Sequence, residues 1–598
     1  MSAPATLIGR VQSVTGKIVT VRLQRGQTSL VMVEGESHRI GQVGSMVRIP
    51  LGYTHLYGIC SQVGAAAIPN SVLSEPGKEI DSRWMTVTLF GEAIGDEFER
   101  GVSQYPTIDD EVHIATTAEL AVIYNETSAA ALDIGHLAAA RSIPATLDLA
   151  SLVSRHSVVV GSTGAGKSNL VAVLLESIAE QGYTSARVLV IDPHGEFADA
   201  VGENGVVFSA SPAAAHHQQL YVPYWALPFE EFVAATMGEL SPQNSEDIRD
   251  MVRRRRQDAA THLTTAPEPG YITADTPIPF SAKGLWFDLN DFEIRTYDDM
   301  MLTTPAVVTT GDPETLTPSE YLPYEPGSKA PFKGTSRMIS RQLDMMRHRI
   351  RDTRFAFLLD PGAGYTPDAD GRTNSDLDDL LRSWVGHDKP VTVLDLSGAA
   401  ADTLPLVIGT VLRLVSDALY WAGNLPVGSR EQPLLIVLEE AHLFVREGAS
   451  SAAHRAVDQI AKEGRKHGVG LMLVTQRPTD LDSAALSQCG TMIALRLTNQ
   501  ADRSRVAAAL PDELTDLVSL LPALRTGEAI VTGEAVKVPS RFRIREARHK
   551  PVGSDPDLAV GWRKDPRPDP AHYTSAVDAW RTSTTAAAVA DEQEGQVS

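Results

Sequence analysis

The run GSTGAGKS, Gly161 to Ser168, stands between the apolar tetrad Ser157 to Val160 and the helix-patterned stretch NLVAVLLESIAEQ. Few eight-residue segments constrain a fold as tightly. A strand must deliver the chain to a glycine turn and the turn must open a helix, because only then do successive N–H groups converge on an anion at a helix N-terminus. The Gly-x-x-x-x-Gly-Lys-Ser spacing predicts a nucleoside-triphosphate cradle. In it the backbone of Gly161, Ser162, Thr163, Gly164, Ala165 and Gly166 wraps the phosphates, Lys167 sits on them as a point charge, and Ser168 offers its hydroxyl to Mg²⁺. Asn169 completes the nucleotide-binding run. A chance match on a glycine-rich turn would lack the strand before and the amphipathic helix after it. The chain is expected to bind and hydrolyse a nucleoside triphosphate.

At 598 residues the chain is too long for one core, and about 100–200 residues per domain implies three or four folding units. Two cysteines far apart, Cys60 and Cys489, indicate neither a disulfide framework nor a zinc site, and a reducing cytoplasm fits best. No run approaches the roughly 18 uninterrupted apolar residues of a membrane span, and the start MSAPATLIGRVQSV lacks a basic region followed by an apolar signal core. A soluble, unexported protein with no membrane partner is therefore expected. The formal net charge of −22 argues against a surface that grips nucleic acid everywhere, while leaving room for a local basic channel. Arg253 to Arg256 and the series Arg337, Arg341, Arg347, Arg349, Arg351 and Arg354 are candidates for one. Solvated helix faces pairing with Asp and Glu are the competing reading for each.

Short β-rich segments at about ten-residue spacing fill the first 120 residues: LIGRVQSV, IVTVRL, LVMVEG, SMVRIPL, LYGICSQV, WMTVTLFGEA and EVHIAT. They predict a small barrel or sandwich for docking or assembly, residues 1–120, with Gly16, Gly41, Gly44, Gly58 and Gly91 at tight corners. Strand and helix alternation then gives a first part of an α/β core, 121–211. Helical stretches around a Pro/Thr-rich arm from Thr303 to Gly334 give an insertion, 212–355. The α/β core resumes over 356–548 with VTVLDLSG, LLIVLEEAH, GLMLVTQRP and TMIALRL, and a polar tail, 549–598, reads as flexible or as a strap onto a neighbouring subunit. The fold class is α/β: a doubly wound, mainly parallel sheet with a helical insertion.

Metal-assisted hydrolysis at such a cradle needs acids on a neighbouring strand tip. LLIVLEEAH supplies Glu439 for the Mg²⁺ shell and Glu440 for polarising water, although a glutamate in place of the commoner aspartate leaves that division open. TQRP puts Thr475 and Gln476 at the next strand end, where the amide can sense the γ-phosphate or hold the water. Arg465, in the cationic helix end AKEGRKHG, can reach a neighbour's γ-phosphate as an arginine finger, though the helix dipole alone also favours a cation there. Asp192, His194 and Glu196 in DPHGEF close another strand and can align nucleotide, metal or partner; one histidine does not make a zinc site.

The ordered set HSVVVGSTGAGKSN, VLVIDPHGEF, VTVLDLSG, LLIVLEEAH, KEGRKHGVGLMLVTQRP and GEAIVTG resembles the HerA family of hexameric DNA-translocating ATPases, in the FtsK-HerA branch of P-loop enzymes. The resemblance spans about residues 5 to 545. It implies a RecA-like core with a helical insertion and a β-barrel cap, arranged as a homohexamer with ATP sites between subunits. Lys167 and Ser168 then match the phosphate and metal contacts, Glu440 the catalytic acid, Gln476 the γ-phosphate sensor and Arg465 the trans arginine, with Arg155 a further nucleotide-site arginine. Double-stranded DNA would pass through the ring, and a nuclease or NADase-type effector would dock on the barrel face, in DNA end processing or phage defence. Two other readings stand beside this one. The ring can be a scaffold that arrays and switches an effector, or a secretion or conjugation motor, whose usual membrane segments are not evident here.

Overall fold

The computed structural model describes residues 6–582 except 25–29, 34–35, 66–82, 96, 125–129, 184, 213, 215, 328–329, 363, 511–514, 552–557 and 564–568. The chain divides into two compact units. The first comprises 1–183, 434–447 and 461–551, and the second 184–433, 448–460 and 552–598.

The first unit opens with a closed six-stranded antiparallel barrel. Leu7–Thr15 pairs with Ile18–Leu23, which pairs with Arg83–Ile94, then Thr54–Ala65, Met46–Leu51, Glu111–Ile114 and back to Leu7–Thr15. Period-2 alternation turns Val19, Val21, Ile49, Leu56, Met85, Val87 and Val112 inward, and closure leaves no free edge. Six of the seven predicted segments form this barrel. The seventh, Leu30–Val33, pairs instead with Glu36–Arg39 in a separate two-stranded ribbon. Gly16, Gly41 and Gly44 have positive φ, as corners require, but Gly58 and Gly91 do not sit at corners. Both lie within strands, where a Cβ would come within 2.3 Å of Val87 Cγ1 and Phe98 Cζ respectively. Close approach, and not chain reversal, is what demands glycine there.

Eight further strands of the first unit form a mixed sheet. In spatial order they are Ala140–Asp148, Ala131–Leu137, Ser540–Ile544, Glu528–Gly533, Thr491–Ala494, Ser157–Val160, Val469–Thr475 and Leu434–Leu438. The last four run parallel to one another and are almost wholly buried, which is why their sequences are continuous apolar runs with no alternation. The antiparallel half was only partly legible, since the hairpin Ala131–Leu137/Ala140–Asp148 carries neither an Asn-Gly turn nor a strong alternation.

In the second unit Arg187–Asp192 and Gly205–Ser209 flank Val391–Asp395 in parallel, so Asp192 and Ser209 both lie opposite Asp395. Helices Phe229–Thr236, Pro242–Ala260, Ala282–Ile294 and Ser340–Arg351 follow within residues 212–355. The segment from Thr303 to Gly334 is less irregular than expected. Val307–Thr309 pairs with Glu320–Tyr321, and Phe332–Lys333 with Thr296–Tyr297. The arginine runs are distributed among carboxylates and rings. Arg253 pairs with Asp250, Arg255 with Asp288 and Arg354 with Asp352, while Arg337 lies 3.9 Å from the Phe292 ring centre. Arg256 is fully buried over Phe280, and burial pushes its guanidinium down to about 9. Helix Leu404–Trp421 is long and apolar enough for a membrane span by composition, yet half of it is buried and it carries the Arg413–Asp417 pair. Those are the marks of a core helix. The carboxyl-terminal region is not wholly irregular, since Pro570–Thr582 is a helix.

The helix that follows the glycine loop, Lys167–Glu180, is clasped by the chain beyond the last sheet strand. Buried Glu176 meets Arg545 Nη1 at 2.8 Å and accepts the N–H groups of Arg548 at 2.7 Å and His549 at 3.0 Å. Burial opposes its ionisation, but the His549 N–H, the Arg545 guanidinium and the Arg548 N–H outweigh burial and hold the carboxyl below its ordinary 4.5. A depressed folded-state value contributes stability that is present above the unfolded value and lost as pH falls through the folded one. Replacing Glu176 with Gln should lower stability at pH 7 by roughly 2–3 kcal/mol. The gap between wild-type and variant urea midpoints should narrow as pH drops below the ordinary Glu value, and a gap constant with pH would remove the ionic part of the clasp.

Candidate nucleotide site

The cradle strand Ser157–Val160 is held on both sides, with Val160 opposite Thr475 on one neighbour and Ala494 on the other. Where the ladders end the chain turns. The Gly161 N–H donates to the Thr475 carbonyl at 3.3 Å, the Ser162 N–H and hydroxyl donate to the Arg496 carbonyl at 2.9 and 2.8 Å, and the Ala165 N–H closes onto the Ser162 carbonyl at 3.0 Å. Gly164 and Gly166 have φ of +70° and +105°, which L side chains rarely adopt, and a Cβ on Gly166 would also press the Gly527 N at 3.3 Å. Gly166 caps the helix with no side chain, so the helix's first N–H groups are offered to whatever occupies the loop. Lys167 is buried at the helix start, and Ser168 follows it at the same helix end. Uncapped helix N–H groups, two left-handed glycines, one cation and one hydroxyl are the donor set a nucleotide triphosphate with its divalent ion requires.

The acid strand Leu434–Leu438 lies beside Val469–Thr475 with Leu438 opposite Leu473. The strand tips therefore end together, and Glu439, Glu440, Thr475 and Gln476 share one sheet edge with the loop. Glu439 and Glu440 are buried, 2% and 7% exposed. Glu440 holds φ +48°, a left-handed conformation for a non-glycine residue, and opens the short turn Ala441–Leu443. Such conformations cost about 1 kcal/mol or more and persist where the surroundings over-determine them. Gln476 reaches the loop directly, its Oε1 accepting the Thr163 hydroxyl at 2.6 Å. The sequence reading did not single out His442, whose Nδ1 lies 3.1 Å from Glu440 Oε2 and 3.2 Å from Thr475 Oγ1. Its only signal was the Ala-His that follows the two acids.

Other predicted residues are disposed differently. Arg465 sits in the turn Gly464–His467, exposed and, among the described residues, without an ion pair. Arg155 precedes the cradle strand, at the end opposite the loop, and pairs with Glu534 at 3.2 Å. Asn169 turns to the clasp, donating to the Arg545 carbonyl at 2.8 Å and accepting the Ala547 N–H at 3.0 Å. In the second unit, buried Asp192 gives its oxygens to the N–H groups of His194, Gly195 and Phe197. Burial, reinforced by Asp395, pushes its carboxyl up to about 6.

A glycine cradle closed by a lysine-headed helix, with paired acids on a neighbouring strand tip, defines a P-loop ATPase. Family models sharpen the class: the HerA helicase central domain matches residues 132–415 and the HerA-like helicase carboxyl-terminal domain residues 370–545. Together they cover more than half of the chain, which belongs to the HerA family. It is similar to a probable helicase of Methanocaldococcus jannaschii, 24% identical over 449 residues, 74% of this chain and 75% of that one. It is similar to the DNA double-strand break repair helicase HerA of Saccharolobus solfataricus, 26% identical over 69% of this chain and 68% of that one. The corresponding HerA of Pyrococcus furiosus is 25% identical over 80% of this chain and 82% of that one. Among solved structures, VirB4 of Thermoanaerobacter pseudethanolicus matches with TM-score 0.42 and 14% identity over 71% of this chain and 98% of that one.

Replacing Gly166 with Ala forces a side chain onto φ +105°, with its Cβ 3.3 Å from the Gly527 N. Nucleotide affinity should fall at least about 10-fold, the scale of a cost near 1.4 kcal/mol. Titration with a fluorescent ADP analogue checks this, and unchanged affinity would remove the cradle's dependence on that glycine.

Proposed function

We propose that the chain is an ATP-driven translocase of double-stranded DNA, working as a homohexameric ring with sites completed between subunits. The observation that carries this reading is the shared sheet edge, where the Thr163–Gln476 contact joins the loop to the sensor strand beside Glu439 and Glu440. Curated relatives named as DNA double-strand break repair helicases supply the substrate class. Backbone N–H groups of the loop and Lys167 bind the phosphates, Glu440 orients and polarises the attacking water, and Gln476 reports the γ-phosphate. A magnesium ion arriving with the nucleotide would be held by Ser168 and Glu439 and would neutralise charge on the phosphate oxygens.

The exposed Arg465 guanidinium supports a trans role. A planar cation with no ion pair among the described residues is available to a neighbour's γ-phosphate. Arg155 is assigned as a further nucleotide-site arginine, and Asp192 as a residue that aligns nucleotide. The division into barrel cap (1–120), core (121–211 and 356–548), insertion (212–355) and tail (549–598) is the working map for truncations. The barrel is the proposed docking face for a nuclease or NADase-type effector in end processing or phage defence, in the cytoplasm. The net charge of −22 favours, as a second reading, a ring scaffold that switches an effector with DNA pumping secondary.

Lys167→Ala and Glu440→Gln should each lower ATP turnover at least about 100-fold while leaving assembly unchanged by light scattering. Arg465→Ala should lose turnover yet bind nucleotide, and mixing it with Lys167→Ala subunits should restore part of the activity. Absence of complementation would remove the trans role. Duplex DNA should stimulate wild-type turnover in a salt-sensitive manner, and a ring that ignores duplex at every ionic strength would favour the scaffold reading.

A further inference from the structure

A side chain that reports a γ-phosphate is useful only if the turn carrying it stands at a fixed distance from the glycine loop. The turn from Gln476 to Leu481 leaves the buried end of the sensor strand, where the Arg477 N–H donates to Thr475 Oγ1 at 3.0 Å and the Asp480 N–H to the Arg477 carbonyl at 3.1 Å. Those bonds shape the turn and do not by themselves place it. Two side chains of one helix grip it from outside. Asp502, in the first turn of helix Gln500–Ala509, accepts the Thr479 hydroxyl at 2.8 Å and the Thr479 N–H at 3.3 Å on one oxygen, Oδ1. Arg505, three residues on and so on the same helix face, donates from Nη2 to the Leu481 carbonyl at 2.7 Å. The helix dipole favours an aspartate in any first turn, exposed ones included. Asp502 is instead buried, 7% exposed, with its oxygen given to a loop 23 residues away.

The segment that presents Asp502 is itself bonded to the cradle. It continues strand Thr491–Ala494, the Leu495 N–H donating to the Val160 carbonyl at 2.8 Å and the Arg496 carbonyl accepting both the N–H and the hydroxyl of Ser162. Asn499 then caps the helix by accepting the Ala501 N–H at 2.8 Å, which fixes where Asp502 falls. Three contacts therefore close a ring through two short lengths of chain: Ser162 with Arg496, Asp502 with Thr479, and Gln476 with Thr163. The geometry points to Asp502 as a positioning residue for hydrolysis. Its carboxylate fastens the far side of the sensor turn to the same segment that holds Ser162, so that Gln476 and the glycine loop keep one spacing. This rests on Gln476 acting as the γ-phosphate sensor. Asp502 works through Thr479 and not on the nucleotide.

A sensor held out of place should fail to tell a triphosphate from a diphosphate, which general damage to the site would not imitate. In the full-length protein, Asp502→Ala should lower kcat for phosphate release by roughly 10- to 100-fold, the scale of a hydrogen bond to a charged group, with ADP affinity within about 2-fold. The preference for adenylyl imidodiphosphate over ADP, read by displacement of a fluorescent ADP analogue, should fall at least about 3-fold. An asparagine carbonyl oxygen can accept where Oδ1 does, so Asp502→Asn should return kcat to within about 5-fold of wild type. Thr479→Val should lower kcat less than Asp502→Ala and add little to it in the double variant. Should Asp502→Ala not fold, Thr479→Val and Thr479→Ser decide: a slow Val variant beside a near-normal Ser variant supports the role, and equal rates overturn it. Equal losses of affinity for ADP and the imidodiphosphate, or an Asn variant as slow as Ala, also overturn it. Wild-type kcat and preference in Asp502→Ala, with both lost in Gln476→Ala, overturn positioning and leave the sensor reading standing. Wild-type kcat and preference in Gln476→Ala overturn both.

Discussion

The double parallel ladder on the cradle strand is the constraint on which the chemistry depends. With Val160 registered against Thr475 on one side and Ala494 on the other, the strand can end at one place only, and the turn that begins at Gly161 is hydrogen-bonded to both neighbours. A slip of one residue would invert every side chain along the strand and bring the loop to a different level from the acids. The buried apolar faces of Val158, Val159, Leu473 and Ile493 make such a slip costly, so a packing preference spread over three strands becomes a positional tolerance at the glycine loop.

Much of this was readable from the chain alone, and the readable part shares a physical character. Lys167, Ser168, Glu439 and Glu440 are found by local pattern, because a motif at the end of an apolar run is short-range information. The Thr163–Gln476 contact joins residues 313 apart in sequence, and the tie from His442 to Thr475 joins residues 33 apart. Neither has a local signature, since each depends on which strands are neighbours and in what register.

The arginine-rich helix Pro242–Ala260 shows a different limit. Four consecutive arginines look like one basic patch in sequence, but at 3.6 residues per turn they point around the whole helix. Arg253 and Arg255 find carboxylates, while Arg256 is turned into the core against the Phe280 ring and the Leu227 carbonyl. Charge density along a chain is not charge density on a surface. The barrel glycines make the same point for backbone: Gly16 was legible as a turn, whereas Gly58 and Gly91 answer to atoms on other strands.

The clasp around Glu176 has a mechanical meaning. The helix that begins at the glycine loop is fastened along its length to residues 545–549, through Asn169 one turn in and Glu176 two turns further. A helix pinned at both points is coupled to the segment that pins it, so a displacement at its glycine-loop end is shared with the chain as it leaves the last sheet strand. The carboxyl-terminal region thus begins at the far end of a stiff rod whose near end is the glycine loop.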